Sequence, residues 1–389
     1  MNKIYLDNSA TTRICDEALE TYIRVSRECY GNPSSLHALG FESEKLLSAV
    51  RGELLTSLGA KGASVIFTAS GTEANNLAII GRAFSKERYK RGAKIITTMG
   101  EHASVDAPLA MLSGMGFKVV KIPTVGGEID MEMLKNELTT DVILVSMMMV
   151  NNETSALYDT TEVAGLIKAR CPEALLHIDA TQSYLKLPFT MAKCGANMIT
   201  ISSHKIEGPK GVGALVVDGA VMRAKGLAAL TLGGGQEGGM RSGTENVPGI
   251  AAFGEAVRIG SAALRERYSY LKELKDYLIS SLEGEEKLSE ISVIKPKASA
   301  PHIVNIVLPK IKSETMLHYL SSLGIYVSSG SACSSNGGHL SSALTAFGRT
   351  SAEADSSIRI SLSHRNTRED IDRLIEGLIS GLNRLSRMK

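Results

Sequence analysis

His177-Ile178-Asp179-Ala180-Thr181-Gln182 and Ser202-Ser203-His204-Lys205 are the two stretches on which the reading of this chain turns. Each completes a short apolar run, Ala174 to Ile178 for the first and Asn197 to Ser202 for the second. The first run ends on a carboxylate. The second ends on a lysine beside a histidine and two hydroxyls, just ahead of Gly208-Pro209-Lys210-Gly211. Near-continuous apolar runs of this length predict strands of a mostly parallel sheet covered on both faces. In open sheets of that kind, ligands bind beyond the carboxyl ends of the strands.

Outward from these stretches, strand and helix patterns alternate from about residue 40 to 217. Strands are expected at Ser64–Thr68, Lys94–Thr98, Phe117–Ile122, Asp141–Ser146, and Val212–Val217 as well. Helices are expected at Phe41–Leu58, Thr72–Phe84, Ala103–Ser113 (despite Pro108) and Thr161–Ala169. Such alternation predicts an α/β fold. After Gly249 the pattern changes to one long helix, Ile250–Leu282. Short strands follow at His302–Leu308, Ile325–Ser328 and Ser357–Ser361, and an amphipathic helix at Arg368–Leu385 closes the chain. We expect a large domain over residues 15–255 and a smaller α+β domain over 256–389, joined by the N-terminal segment 1–14.

The chain has 389 residues, 43% of them hydrophobic and 22% charged, so it can bury a substantial core. A formal net charge of +2 argues for neither nucleic acid nor an anionic membrane, and no direct contact with either is expected. Asp7 interrupts the N-terminal stretch and the apolar run Val142–Val150 is too short for a bilayer, so a cytoplasmic location is expected. Cys15, Cys29, Cys171, Cys194 and Cys333 are scattered without a C-x-x-C pair, which suggests neither zinc nor a disulfide framework. Cys333 alone sits among small residues, in Ser328-Ser-Gly-Ser-Ala-Cys333-Ser-Ser-Asn-Gly-Gly338, where a reactive thiol would have access. The other four read as packing residues.

The strand-end loops carry the chemistry. Ala69-Ser70-Gly71-Thr72-Glu73-Ala74-Asn75-Asn76 offers a glycine for close approach and a helix opening at Thr72, either a phosphate cradle or a plain helix cap. It lacks the lysine of a nucleotide P-loop. No G-x-G-x-x-G follows a strand, which leaves a dinucleotide-dependent enzyme a distant reading. His102, after Lys94–Thr98, can stack on an aromatic group and move protons, or simply cap a helix. Asn152 can bond a substrate carboxylate or a cofactor oxygen, although asparagine pairs also serve turns. Arg359, inside Ile358-Arg-Ile-Ser-Leu362, is either an inward partner for a carboxylate or an edge residue. An acid and a lysine from neighbouring strand ends suit pyridoxal 5'-phosphate (PLP): the lysine forms the Schiff base and the acid keeps the pyridine nitrogen protonated.

Taken together and in order, these segments resemble the cysteine desulfurases of the NifS/IscS type, in the class V aminotransferase group of PLP enzymes. The resemblance is carried by Tyr5-Leu-Asp-Asn-Ser-Ala-Thr-Thr12, Gly31-Asn-Pro-Ser34, Ser70-Gly-Thr-Glu73, Glu101-His102, Val150-Asn-Asn-Glu153, His177–Gln182 and Ser203-His-Lys205. Gly208–Gly211, Arg241-Ser-Gly-Thr244, Ser328–Cys333 and Ser357-Ile-Arg359 extend it almost to the end of the chain. Family members often have threonine after the cysteine and a proline-containing segment beyond. Here Ser334 and Gly337-Gly-His-Leu-Ser341 stand in those places.

The resemblance implies fold type I, with a mostly parallel seven-stranded sheet. It implies that Lys205 bonds PLP, Asp179 pairs with the pyridinium nitrogen, Gln182 contacts the ring hydroxyl and His102 stacks on the ring. Gly71, Thr72, Ser202 and His204 would hold the phosphate, with Thr244 reaching it from the partner of a homodimer. Asn152 and Arg359 would hold the carboxylate of L-cysteine. Cys333 would take the sulfur as a persulfide and pass it to an acceptor, either an iron–sulfur scaffold or a tRNA-thiolation relay, while alanine leaves. Selenocysteine lyase and cysteine-sulfinate desulfinase are the near alternatives. The thiol segment argues against an ordinary transaminase. A catalytically silent PLP-binding partner protein would be expected to have a degraded site.

Overall fold

The computed structural model describes residues 3–85, 92–308, 311–329 and 341–385. A seven-stranded sheet forms the frame. Its strands run in the spatial order Ser64–Thr68, Gly213–Val217, Met198–Ser202, Leu175–Asp179, Val142–Met148, Lys94–Thr98 and Lys118–Ile122. Only Gly213–Val217 runs antiparallel to its neighbours. The carboxyl ends of the other six therefore share one edge, and Gly213 begins at that same edge.

Side-chain alternation along the strands divides the core in two. Ile66, Ile95, Met198 and Leu215 pack with Leu77 of helix Gly71–Ala83 and Leu109 of helix Ala103–Gly114. Val65, Ile96, Ile178, Ile199 and Val216 face the opposite way, onto Leu47 and Leu54 of helix Ala38–Ser57 and Phe253 of helix Val247–Ala262. Covered on both faces, the central strands have no solvent-facing side, which explains their near-continuous apolar runs.

A separate core lies towards the C-terminus. A four-stranded antiparallel sheet orders Ser328–Ser329, Ser357–Ser361, Ile303–Val307 and Ser292–Ile294. Ile306, Ile358 and Ile360 pack with Leu278 of helix Leu264–Gly284, Leu320 of helix Ser313–Ser322 and Leu374 of helix Arg368–Leu385. Ile4 and Leu6 are buried in this core, and Ile4–Tyr5 pairs in parallel with Ile325–Tyr326. The chain then crosses to the large sheet, where the Thr12 N–H donates to the carbonyl of His204 at 2.9 Å.

Several expected elements differ. Ile250–Leu282 is two helices, Val247–Ala262 and Leu264–Gly284, broken at Ala263. Ile325–Ser328 is two short strands in different sheets. The helices Asp16–Glu28 and Met131–Glu137 and the strand Ser292–Ile294 were not expected from the sequence. The helix after Ser64–Thr68 starts at Gly71, not Thr72: Ser70 is its cap and accepts from the Glu73 N–H. The carboxylate of Glu73 reaches back to the Ala69 N–H at 2.7 Å. No helix among the described residues is long and apolar enough to cross a membrane.

Candidate active site

The shared strand edge opens into a cavity of about 720 Å³. Gly71, Thr72, His102, Asn152, Asp179, Gln182, Ser202, His204, Lys205 and Arg359 all line it. Thr244 does not, and lies exposed on a loop. Cys333, with most of the segment 334–342, lies outside the described residues.

Asp179 ends its strand with both carboxylate oxygens held. Oδ1 accepts from the Thr181 N–H at 2.9 Å and Oδ2 from Asn75 Nδ2 at 2.7 Å. Two residues back in the strand, His177 is fully buried between Ser146 Oγ (2.9 Å) and Thr200 Oγ1 (3.0 Å). Burial pushes it down to about 4, so it is a neutral part of the sheet. Lys205 Nζ donates to the carbonyls of Ser9 (2.6 Å) and Ala10 (2.8 Å). Gln182 Nε2 donates to the same Ser9 oxygen at 2.9 Å. The N-terminal segment thus forms part of the wall beside the lysine.

The turn carrying Lys205 is fixed from behind. Gly208 follows because a Cβ there would lie 2.1 Å from Ser203 Oγ. Glu207 has φ of +66°, unusual for a residue with a side chain. Its carboxylate is held by Arg365 at 2.8 Å and Arg267 at 3.2 Å, and its N–H donates to Thr12 Oγ1 at 2.8 Å. These contacts oppose the backbone strain and tie the lysine turn to both cores.

His102 is both a helix cap and a wall of the cavity, so the two readings of it are compatible. Its Nδ1 accepts from the Ser104 N–H at 3.1 Å and lies 2.8 Å from Ser104 Oγ. Burial lowers its pKa, opposed by the nearby Asp179 charge. Glu101 beside it is fully buried. Its Oε1 accepts from the Met148 N–H at 2.9 Å and from the Thr98 hydroxyl. Burial pushes the carboxyl up to about 8, so it is protonated at neutral pH.

At one end of the cavity the helix Gly71–Ala83 presents its N-terminus. A Cβ on Gly71 would lie 3.2 Å from Ser202 Cβ and 3.3 Å from Thr181 Oγ1. Ser202 Oγ is buried without a hydrogen-bond partner among the described residues. His204 Nδ1 lies 3.1 Å from Thr11 Oγ1, and burial with the charges of Lys205 and Lys210 pushes it down to about 4. A helix N-terminus, a glycine that keeps the approach open and an unsatisfied hydroxyl suit a phosphate. With Asp179, His102 and Lys205 beyond, the residues present fit PLP.

At the other end stands Arg359, in the buried strand Ser357–Ser361 of the C-terminal sheet. It is an inward residue, not an edge one. Nη2 pairs with Asp7 Oδ1 at 2.9 Å and Nη1 donates to the Asn152 carbonyl at 3.0 Å. Burial raises the Asp7 carboxyl, opposed by Arg359. Turn chemistry falls to Asn151, whose Oδ1 accepts from the Glu153 and Thr154 N–H groups at 3.0 and 2.9 Å. Glu153 accepts from Ser341 Oγ at 2.5 Å, and burial pushes it up to about 7 against that bond and the Arg359 charge.

Asn75, Ser104, Glu101, Glu153 and Asp7 were not singled out by sequence reasoning. Asn75 lies one helical turn beyond Gly71, and Ser104 two residues beyond His102. That spacing from two candidate residues was the available signal. Among the described residues no group of acidic, histidine or cysteine side chains is arranged to hold a metal ion.

The sequence profile of the aminotransferase class-V family matches residues 4–374, and the chain belongs to that family. Its members are PLP-dependent enzymes, and the fold is the type I fold of that class. The chain is 37% identical to cysteine desulfurase IscS 1 of Archaeoglobus fulgidus over 386 residues, covering 99% of this chain and 98% of the relative. It is 36% identical to cysteine desulfurase IscS of Methanosarcina thermophila over 375 residues, covering 96% and 90%. A solved NifS-like protein superimposes with a TM-score of 0.90 at 34% identity, covering 98% of this chain and all of that one.

Proposed function

We propose that this protein is a PLP-dependent cysteine desulfurase that converts L-cysteine to L-alanine. The observation that carries the reading is the meeting, across one cavity, of Lys205, Asp179 and His102 with Arg359 from the other core. Full-length similarity to relatives named cysteine desulfurase supports it.

In this reading the helix N-terminus at Gly71, with Thr72, Ser202 and His204, holds the cofactor phosphate, and Thr244 of a second copy completes it in a homodimer. Asp179 holds the pyridine nitrogen protonated, Gln182 bonds the ring hydroxyl and His102 covers the ring. Bound there, PLP withdraws electrons from the substrate α-carbon. Arg359 and Asn152 hold the substrate carboxylate, while Asp7 pairs with the same guanidinium. Lys205 Nζ takes the proton from the α-carbon and returns it. Cys333 Sγ attacks the substrate sulfur: the S–S bond forms, the C–S pair stays with carbon, and carbon takes a proton to become the alanine methyl.

The persulfide on Cys333 then passes to an acceptor protein, an iron–sulfur scaffold or a tRNA-thiolation relay, in the cytoplasm. We also propose a large domain over 15–255 and a small one over 256–389 with 1–14; this boundary falls inside helix Val247–Ala262. A silent PLP-binding partner is disfavoured by the intact set Lys205, Asp179 and His102. Selenocysteine and cysteine sulfinate are the competing substrates.

The test supplies purified protein with PLP, L-cysteine and a thiol reductant, and measures alanine and sulfide. Wild type makes both, and Lys205→Ala makes neither and loses the normal visible absorption band. Wild type that makes no alanine would sink the proposal, as would a kcat/KM for selenocysteine or cysteine sulfinate far above that for cysteine.

A further inference from the structure

We propose that Asn75 is a positioning residue that links the carboxylate of Asp179 to the imidazole of His102 through the hydroxyl of Ser104. The proposal deepens the reading of Asp179 and His102 as the groups facing PLP, and rests on it. Asn75 is 1% exposed and does not line the cavity, so it acts only through its neighbours. Its Nδ2 lies 2.7 Å from Asp179 Oδ2 and 2.8 Å from Ser104 Oγ.

Each proton in the chain has one direction. The amide orientation follows from chemistry: turned over, it would set an amide oxygen against a carboxylate oxygen, two acceptors. The two Nδ2 hydrogens therefore point at Asp179 and Ser104. Ser104 Oγ, already accepting from Asn75, has its own hydrogen left for His102 Nδ1, 2.8 Å away. The Ser104 backbone N–H, which can only donate, points at the same Nδ1. Nδ1 is thus an acceptor and His102 carries its proton on Nε2.

Asn75 Oδ1 is buried without a partner among the described residues. An asparagine kept at the expense of an unsatisfied oxygen is kept for its two donors. They fix the rotamer of the acid and the direction of the serine hydroxyl with one amide group. The acid and the histidine are thereby set relative to each other through the buried side chains of Asn75 and Ser104.

The test uses the holoenzyme and the variants Asn75→Ala, Asn75→Asp and Ser104→Ala. Asn75→Ala is expected to lower kcat about tenfold or more while leaving KM for cysteine within about twofold, because Asn75 touches no substrate. It is also expected to move the pH midpoint of the visible cofactor band. In Asn75→Asp a second carboxyl faces Asp179, so it must be protonated to donate. Its kcat and cofactor retention fall with rising pH through an ionisation absent from wild type and Asn75→Ala. The combination of Asn75→Ala and Ser104→Ala is expected to be non-additive.

Nitrogen-15 spectra of labelled histidine in wild type give an independent reading, with His102 protonated on Nε2. A wild-type His102 protonated on Nδ1 would overturn the proposal. So would folded Asn75→Ala holoenzyme with wild-type kcat and band titration, or an Asn75→Asp pH profile matching wild type. These signals do not depend on which amino acid is the substrate. If wild type bound PLP but spared cysteine, the substrate reading would fail while the spectra still judged Asn75.

Discussion

Replacing Glu101 by glutamine removes a buried acid without changing its shape. The carboxyl ordinarily ionises near 4.5, but burial moves it to about 8 in the fold. An acid raised in this way stabilises the fold fully below 4.5, and that contribution is lost as pH rises towards the folded value. Each pH unit in that window withdraws about 1.4 kcal/mol. The loss is therefore about 3 kcal/mol near pH 7, growing to about 5 kcal/mol above pH 8. Glutamine retains the oxygen that accepts from Thr98 and Met148 but has no such ionisation. The assay is urea unfolding of wild type and Glu101→Gln at about pH 5, 7 and 9, with protein and PLP concentrations held fixed. Wild type is expected to lose stability relative to the variant as pH rises, by several kcal/mol across the range. The infrared band of protonated carboxyls at neutral pH should be weaker in the variant, which keeps only the contribution of Glu153. Parallel pH dependence of the two proteins, with no difference in that band, would show that Glu101 is ionised at neutral pH.

Three further outcomes are expected. Gly71→Ala adds a carbon 3.2 Å from Ser202 Cβ, so backbone or serine must shift. The loss of one charge-assisted bond weakens PLP affinity about 10- to 100-fold, read by titrating the apoprotein. Arg359→Lys replaces a planar fork by a point charge and should raise KM for cysteine about tenfold or more with a smaller change in kcat, measured by alanine formation. Ser341→Ala removes the hydroxyl that holds Glu153 down, so that carboxyl should ionise above its present value of about 7, followed by infrared titration.

Legibility from sequence followed the range of the forces involved. The central strands were readable because their burial on both faces leaves an apolar run, and the loops after them identified most of the cavity wall. Asp179, Lys205 and His102 stand out because each polar residue follows such a run closely. Asn75 and Ser104 were not legible as a pair. Their bond spans 29 positions and the Asn75–Asp179 bond spans 104, and no local period reports either. Asp7 meets Arg359 across 352 positions, through a crossing of the N-terminal segment that propensity does not encode. The break at Ala263 escaped because alanine favours helix, and the nearby Gly260 lies inside the last turn of the first helix and not beyond its end. The split of Ile325–Ser328 escaped because Val327, itself a strand former, separates two pairings in different sheets.

The proposed transfer of sulfur from cysteine to Cys333 is open to direct measurement. The most direct measurement is a single turnover of L-cysteine without reductant, followed by alanine analysis and mass spectrometry of the protein. Wild type is predicted to yield alanine together with a mass increase of one sulfur atom on the peptide bearing Cys333. Cys333→Ser is predicted to keep the visible cofactor band and yield neither. Alanine and sulfide released by Cys333→Ser at the wild-type rate would contradict the account.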